Sequence, residues 1–413
     1  MFFAVLLITL FLMNAFSQSN KADHFLELLM KKDPSHFEGI IAGKDSFRLQ
    51  IIYTQINRNE KNKPSFKNFY FNVSDANYFY PASTVKMPVA LLALQRLHEP
   101  GIPGVDMNST MITGSDYGHE TPVLNDPTTA DGRPTIAHYI KKIFLVSDND
   151  AFNRLYEFLG QEYINKNLAK MGYGDAQIRH RLQAGLNAAE NAHTNPIRFL
   201  DMNGNLLFNQ PAKFSQQKFT RRNDFVGAGY YQGNTLINHS MDFSEKNRIS
   251  LEDLHNILRT VIFPESVPKS RRFRLSADDY KFLYRYLSQY PGETRVPSYD
   301  TLTNWDAYCK FLYWGSDTGR LPKNIRIFNK VGDAYGFLID VSYFVDFDKK
   351  IEFMLSVAMY CNKDGILNDD KYDYDDIGLP FMKQLGRLIY DYELKRKKRF
   401  APDLSKFKVQ YDK

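Results

Sequence analysis

The spacing of apolar and polar positions changes character twice along the chain. Near the start, "FRLQIIYTQINRN" and "SFKNFYFNVS" carry strand-like apolar runs, and the polar "NRNEKNKP" between them reads as a turn. Before them, "FLELLMKK" (Phe25 to Lys32) has helical spacing. A helix is predicted at or near Ser83, with Val85, Val89, Leu91, Leu92, Leu94 and Leu97 supplying its apolar character and Pro88 in its tolerant first turns. From about residue 100 to 200 the pattern is helical with loops. "IAHYIKKIFLVSDNDAFNRLYEFLG" holds two periodic segments broken at Ser147-Asp148-Asn149. "SLEDLHNILRTVIF" and "LSADDYKFLYRYLSQYPGET" are helices with Ser250 and Ser276 as N-caps. After Asn324 the rhythm returns to strands in "NIRIFNKVG", "YGFLIDVSYFVDF" and "KIEFMLSVAMY", and "FMKQLGRLIYDYELKRKKR" closes with a helix.

Strands at both ends and helices between them predict a mixed α/β fold. One antiparallel sheet would be assembled from both termini, flanked by helices, with a helical lobe inserted. The expected boundaries are 24–95 and 295–394 for the discontinuous sheet lobe and 96–294 for the helical lobe. Residues 203–247, rich in Gly, Asn, Gln and Phe and without clear period, read as an insertion or long ordered loop. Residues 395–413 form a basic tail whose "KRKKR" (Lys395 to Arg399) is expected to be a solvated helix end.

Composition narrows the function. With 413 residues and a net charge of +6 mixed along the chain, nucleic acid is not implied as a partner. The start is apolar up to Phe16, and Ala15 and Ser17 stand at signal-peptidase spacing. A signal peptide over 1–17 and export to the periplasm are therefore expected, with no stable membrane span after cleavage. The basic residues that usually open such a segment are missing. Cys309 and Cys361 could pair or remain free and buried; two cysteines do not make a disulfide scaffold. His119-Glu120 and His180 with His193 lack a recognised metal spacing, so neither metal nor cofactor is expected. The acidic "NDDKYDYDD" (Asn368 to Asp376) lacks the glycine and terminal glutamate of a calcium loop and reads as a solvated turn.

The candidate chemistry is in three polar islands. Ser-x-x-Lys at Ser83–Lys86 recurs at Ser215–Lys218, Ser266–Lys269 and Ser405–Lys408, so the motif alone means little. Lys-x-Gly at Lys330–Gly332 is equally weak alone, since Lys170–Gly172 and Lys363–Gly365 also match. Ser147-Asp148-Asn149 holds the only Ser-x-Asn of the chain. What is specific is the ordered trio in its context: one island opening a helix after strands, one joining two helices, one in a strand near the C-terminus. The bland readings are a helix cap at Ser83, a helix stop at Ser147 to Asn149 and a surface lysine at Lys330. Residues i and i+3 share a helix face, so Lys86 can reach Ser83. A serine becomes a nucleophile when a base takes its proton, which a lysine can do once burial or nearby cations lower its pKa.

On these islands, and on "YFYPASTVK" and "LPKNIRIFNKVGDAYG", the chain resembles the penicillin-recognising serine enzymes. It is most similar to the class A β-lactamase branch of the serine β-lactamase-like superfamily, from about residue 24 to 394 apart from the insertion. The resemblance implies Ser83 as nucleophile, Lys86 as its partner and Ser147 as proton relay to the leaving nitrogen. It implies Asn149 as holder of the substrate amide, Asp148 as a brace, and Lys330 as a positive charge. Gly332 would give room for the substrate backbone. The N–H groups of Ser83 and Asp333 would form the oxyanion hole. The implied substrate is a β-lactam or a peptidoglycan-like peptide, and the implied protein is a monomer.

Two departures bear on turnover. The family's deacylating glutamate stands four residues before an asparagine in a loop here matched by "IRHRLQAGLNAAENAHTNP". If Asn187 is that asparagine, the glutamate position holds Gln183, which cannot act as a base, and the nearest acid is Glu190 on the other side. Val331 stands where the family has a hydroxyl that helps bind the substrate carboxylate. The expected activity is an active-site serine hydrolase that is acylated at Ser83 and then deacylated. A D,D-peptidase or a sensor that is acylated without turnover are the alternatives.

Overall fold

The computed structural model describes residues 21–412. The expected signal segment, 1–17, lies outside them. Strands β1 (Gln50–Arg58) and β2 (Pro64–Phe71) join β3 (Ile325–Ala334), β4 (Phe337–Asp346) and β5 (Ile351–Tyr360) in one sheet of order β3-β4-β5-β1-β2. Every neighbouring pair is antiparallel, with Tyr53 opposite Leu355 where the N-terminal and C-terminal strands meet. The sheet is thus built from both ends of the chain.

Both faces of this sheet are covered, which is why its central strands are apolar almost throughout. Alternate residues point to opposite sides. Ile51, Tyr53, Phe353, Leu355 and Val357 share a core with Leu26 of helix α1 (His24–Met30) and with Phe381, Leu385 and Ile389 of the C-terminal helix (Leu379–Lys395). Ile52, Ile56, Met354 and Ala358 belong to the other core, with the long central helix α2 (Lys86–Leu97). Eleven of the twelve residues of α2 are buried, so it is a core helix rather than an amphipathic one. Any polar group on its first turn is therefore taken out of water.

The helical lobe continues with α3 (Ile136–Val146), α4 (Asn149–Lys170), the short α5 (Ala188–Ala192), α6 (Leu251–Ile262) and α7 (Ala277–Ser288). The expected caps are present: Ser250 Oγ accepts from Asp253 N, and Ser276 forms a reciprocal capping box with Asp279. His255 of α6 is wedged against the sheet, its ring 2.8 Å from both Thr54 Oγ1 and Ser356 Oγ, and burial lowers its pKa to about 3.

Three details differ from the reading of the pattern. The region read as helices and loops also holds strands, at Thr110–Thr113, Ile197–Leu200 and Leu206–Gln210, which form a small antiparallel sheet. Four or five residues are too few to show a period. Residues 203–247 contain several such strands, and Gly229–Gln232 pairs in parallel with Ile366–Leu367 just after β5. The basic run is solvated only in part: Lys395, Lys397 and Arg399 are exposed, but the tail as a whole is not free. Arg396 and Lys398 pair with Glu393, which is buried with its carboxylate against Tyr53 Oη and needs their charge. Further on, Leu404 and Phe407 are buried among Phe263, Tyr284, Phe328 and Tyr343. Cys309 and Cys361 are both free and buried. No helix among the described residues is long and apolar enough to cross a membrane.

Candidate active site

A 3₁₀ turn, Ala82–Val85, leads into α2 and carries Ser83, half-buried, at its centre. Ala82 enters the turn with φ +45°, a left-handed conformation that costs a residue with a Cβ about 1–2 kcal/mol. Strand β3 runs directly beside the turn. A Cβ built on Gly332 would meet Pro81 O and Ser83 N at 2.9 Å and Thr84 N at 3.0 Å. The space beside Gly332 is therefore filled by the protein's own backbone: the glycine lets the strand close on the turn that carries Ser83. This brings Asp333, the next residue, to the cleft alongside Ser83.

Lys86 lies one turn on and is fully buried. Its Nζ is 2.8 Å from Ser83 Oγ, 2.6 Å from Asn149 Oδ1 and 3.2 Å from Ser147 Oγ, and it also meets Ser147 O. Burial, and secondarily the charge of Lys330, hold its pKa well below 10.5. The amine is thus ringed by four oxygens, Ser83 Oγ, Ser147 O, Ser147 Oγ and Asn149 Oδ1, all within hydrogen-bond reach. Lys330 Nζ donates to Ser147 Oγ at 2.8 Å and to Val331 O at 2.8 Å, and burial brings its own pKa down to about 8. The Ser147 hydroxyl is thus held between two lysines. Its position depends on a left-handed residue at the end of α3 (φ +59°), after which Asp148 caps α4 by accepting from Ala151 N at 2.8 Å. All three islands of the sequence converge on one point.

The model of the Beta-lactamase enzyme family matches residues 41–393. The chain belongs to that family. Solved structures similar to it include a class A β-lactamase from Clostridium kluyveri DSM 555, 14% identical with a TM-score of 0.49, covering 87% of this chain and 99% of that one. A β-lactamase from Burkholderia phymatum is 13% identical with a TM-score of 0.48, over 88% and 98% of the two chains. One from Desulfarculus baarsii DSM 2075 is 13% identical with a TM-score of 0.46, over 88% and 97%. No curated protein matches the sequence.

Within this family member the loop after α4 departs from the expected arrangement. Gln183 does reach the site: its Oε1 accepts from Asn149 Nδ2 at 2.7 Å, and its backbone is left-handed (φ +51°). Asn187 and Glu190 do not. They cap α5 for each other, with Asn187 Oδ1 accepting from Glu190 N at 3.0 Å and Glu190 Oε2 accepting from Asn187 N at 2.8 Å. The other oxygen of Glu190 is 2.6 Å from His119 Nδ1, and these bonds lower its pKa. Asn187 was the candidate for the family's loop asparagine, from which Gln183 was placed, and Glu190 was the nearest acid. A helix of five residues turns them away from Ser83.

Ser83 opens on a cleft of about 710 Å³. Tyr80 and Tyr335 line it near Ser83, and Trp305, Tyr308, Cys309 and Val331 form another part of the wall. Asn368, Asp370, Tyr372, Tyr374 and Asp375 also line it. This last group comes from the acidic stretch expected to be a solvated turn. Its alternation of aspartate and tyrosine was the available signal: a purely solvated turn has no use for tyrosines at Tyr372 and Tyr374. Val331 is buried and offers the cleft no hydroxyl.

Proposed function

We propose that this protein is an exported, monomeric active-site serine hydrolase, acylated at Ser83 by a β-lactam or a related amide and released by hydrolysis. Ser83 Oγ attacks the carbonyl carbon as its proton passes to Lys86 Nζ. The oxyanion is met by the N–H groups of Ser83 and Asp333. The amide C–N bond then breaks, and the nitrogen takes the proton of Ser147, which Lys86 replaces across 3.2 Å. Water afterwards cleaves the ester and restores Ser83. The observation that carries this reading is the 2.8 Å contact between Ser83 Oγ and a lysine whose pKa is held down by burial and by Lys330.

Gln183 supports a second outcome of the same chemistry. A side-chain amide holds the position beside Asn149 and cannot take a proton from water, and Glu190 is engaged elsewhere. Slow deacylation would suit a D,D-peptidase or a penicillin-recognising sensor. An intact-mass time course of the mature protein with a penicillin, beside Ser83→Ala, separates the cases. An adduct that forms and disappears as the drug is consumed indicates a β-lactamase, and one that persists indicates a peptidase or sensor. Absence of any adduct, or an adduct equally present on Ser83→Ala, overturns the assignment of Ser83.

A further inference from the structure

The charge of the cleft wall runs against a carboxylate-bearing ligand. Its charged wall residues are Asp333, Asp370 and Asp375, with neither arginine nor lysine among them. Lys86 and Lys330 stand behind the wall, buried, their ammonium or amine groups committed to Ser83, Ser147, Asn149 and Val331 O. Lys246 sits over the ring of Tyr335, 5.8 Å from its centroid, and belongs to a neighbouring cavity. Lys371, in the same segment as Asp370, is exposed and outside the wall.

None of the three carboxylates is held by a hydrogen bond, although the charges of Lys330 and Lys86 act on Asp333, whose pKa burial raises. Asp369 accepts from Lys371 N, and Asp373 from Lys363 N, whereas the side chains of Asp333, Asp370 and Asp375 accept no hydrogen bond from the protein. All three are exposed to the cleft. Asp370 is held there by a left-handed backbone (φ +59°), as is its neighbour Asn368 (φ +60°). Trp305, Tyr308, Tyr372 and Tyr374 line the same cleft. Carboxylates and aromatic rings lining one cleft favour an organic cation, through charge and through the ring quadrupole. The same wall repels an anion, and Val331 removes the hydroxyl that would have helped hold one.

We propose that this cleft selects acyl donors carrying a cationic group, an ammonium or guanidinium, bound among Asp333, Asp370, Asp375 and the surrounding aromatic rings. The selection rests on this cleft being the substrate site, as the reading of Ser83 requires. It gives the stretch Asn368 to Asp376 a function in specificity. It also accounts for Val331 as part of a site that has no carboxylate to hold.

Two measurements on the full mature chain separate this from the reading of Ser83. Calorimetric titration of the Ser83→Ala protein with benzyltrimethylammonium and with phenylacetate reads the wall alone. The cation should bind about tenfold or more tighter than the anion. That ratio should collapse in the Asp370→Asn/Asp375→Asn double variant, whose side chains hold no hydrogen bond that folding needs. Equal binding, tighter binding of the anion, or a preference unaffected by the double variant overturns the proposal. A matched set of reporter esters ending in trimethylammonium, methyl or carboxylate, followed by intact mass on the wild type, then reads Ser83. Cation-selective binding without an ester adduct leaves the wall's role standing and sinks the nucleophile. Adducts formed at equal rates from all three esters sink the proposed selection and leave the nucleophile.

Discussion

Gly332→Ala is the sharpest test of how the site is assembled. The substitution adds one methyl group to a strand in which glycine is not required by backbone angles, since Gly332 has no left-handed φ. The cost is therefore steric. The new Cβ would lie 2.9 Å from Pro81 O, 2.9 Å from Ser83 N and 3.0 Å from Thr84 N. Ordinary contacts begin near 3.4 Å, so the strand and the turn must separate by about half an ångström. All three obstacles are backbone, so no side chain can swing aside. Overpacking of this kind costs about 1–3 kcal/mol. Because the displaced atoms include the nucleophile's own backbone, acylation should fall by more than stability does, about tenfold to a hundredfold. Denaturant unfolding measures the first quantity and the intact-mass acylation rate the second. Gly319→Ala is the control, since a Cβ there meets nothing within 4 Å and the backbone is again not left-handed. A Gly332→Ala protein as stable and as readily acylated as Gly319→Ala would refute the claim that this glycine sets the distance between the strand and Ser83.

Other consequences follow from the lysines, the loop, the buried histidine and the tail. Replacing Lys330 with Met removes a positive charge beside Lys86 and should move the alkaline-rising limb of acylation to higher pH; a limb that stays in place or moves down would contradict the cited cause of the lowered pKa. Gln183→Glu puts a base next to Asn149 and should shorten the lifetime of the Ser83 adduct by roughly tenfold or more, read by mass after removing excess drug. His255, with its folded pKa lowered to about 3 against 6.5 when unfolded, is neutral in the fold and takes a proton more easily unfolded. Its contribution is complete above about pH 6.5 and is lost as pH falls towards 3, about 2 kcal/mol by pH 5. Urea midpoints at pH 7 and 5 should show this slope, and His255→Gln should flatten it. Deleting residues 402–413 removes the burial of Leu404 and Phe407 and should cost about 4 kcal/mol, where a solvated tail would cost nothing measurable.

The strands and long helices were legible because each holds its period over eight or more residues, and the three polar islands because each sits where one element ends or another begins. What the sequence hid was distance of two kinds. Asn187, the anchor for placing Gln183, and Glu190, the nearest acid, are four and seven residues from Gln183, yet a five-residue helix consumes both in its own cap. Asp370 and Asp375 are nearly 300 residues from Ser83 and looked irrelevant, until the chain leaving β5 folded back over the cleft. Gly332 was read as room for a substrate, because a sequence motif does not say which backbone will occupy the space a glycine leaves. The basic tail was misjudged for a related reason: the acid it neutralises, Glu393, gives no sign in the sequence of being buried.

The distribution of backbone strain ties these points together. Eleven non-glycine residues have positive φ among the described residues. Six of them line the cleft: Ala82, Ser147, Gln183, Tyr335, Asn368 and Asp370. Only two of the six are asparagine or aspartate, the types that tolerate this region. Each of the others costs about 1–3 kcal/mol and persists only where the surrounding fold over-determines it. Ala82 turns Ser83 towards the strand, Ser147 presents its hydroxyl to both lysines, Gln183 reaches Asn149, and Asp370 faces the cleft with its carboxylate unengaged. Relaxing any one of them would leave the core intact and dissolve a contact of the site. A fold shaped by packing alone would place such residues without regard to one cleft. Their concentration here means that stability has been given up where these side chains meet, and it extends the site from the three islands to the acidic, aromatic wall that faces them.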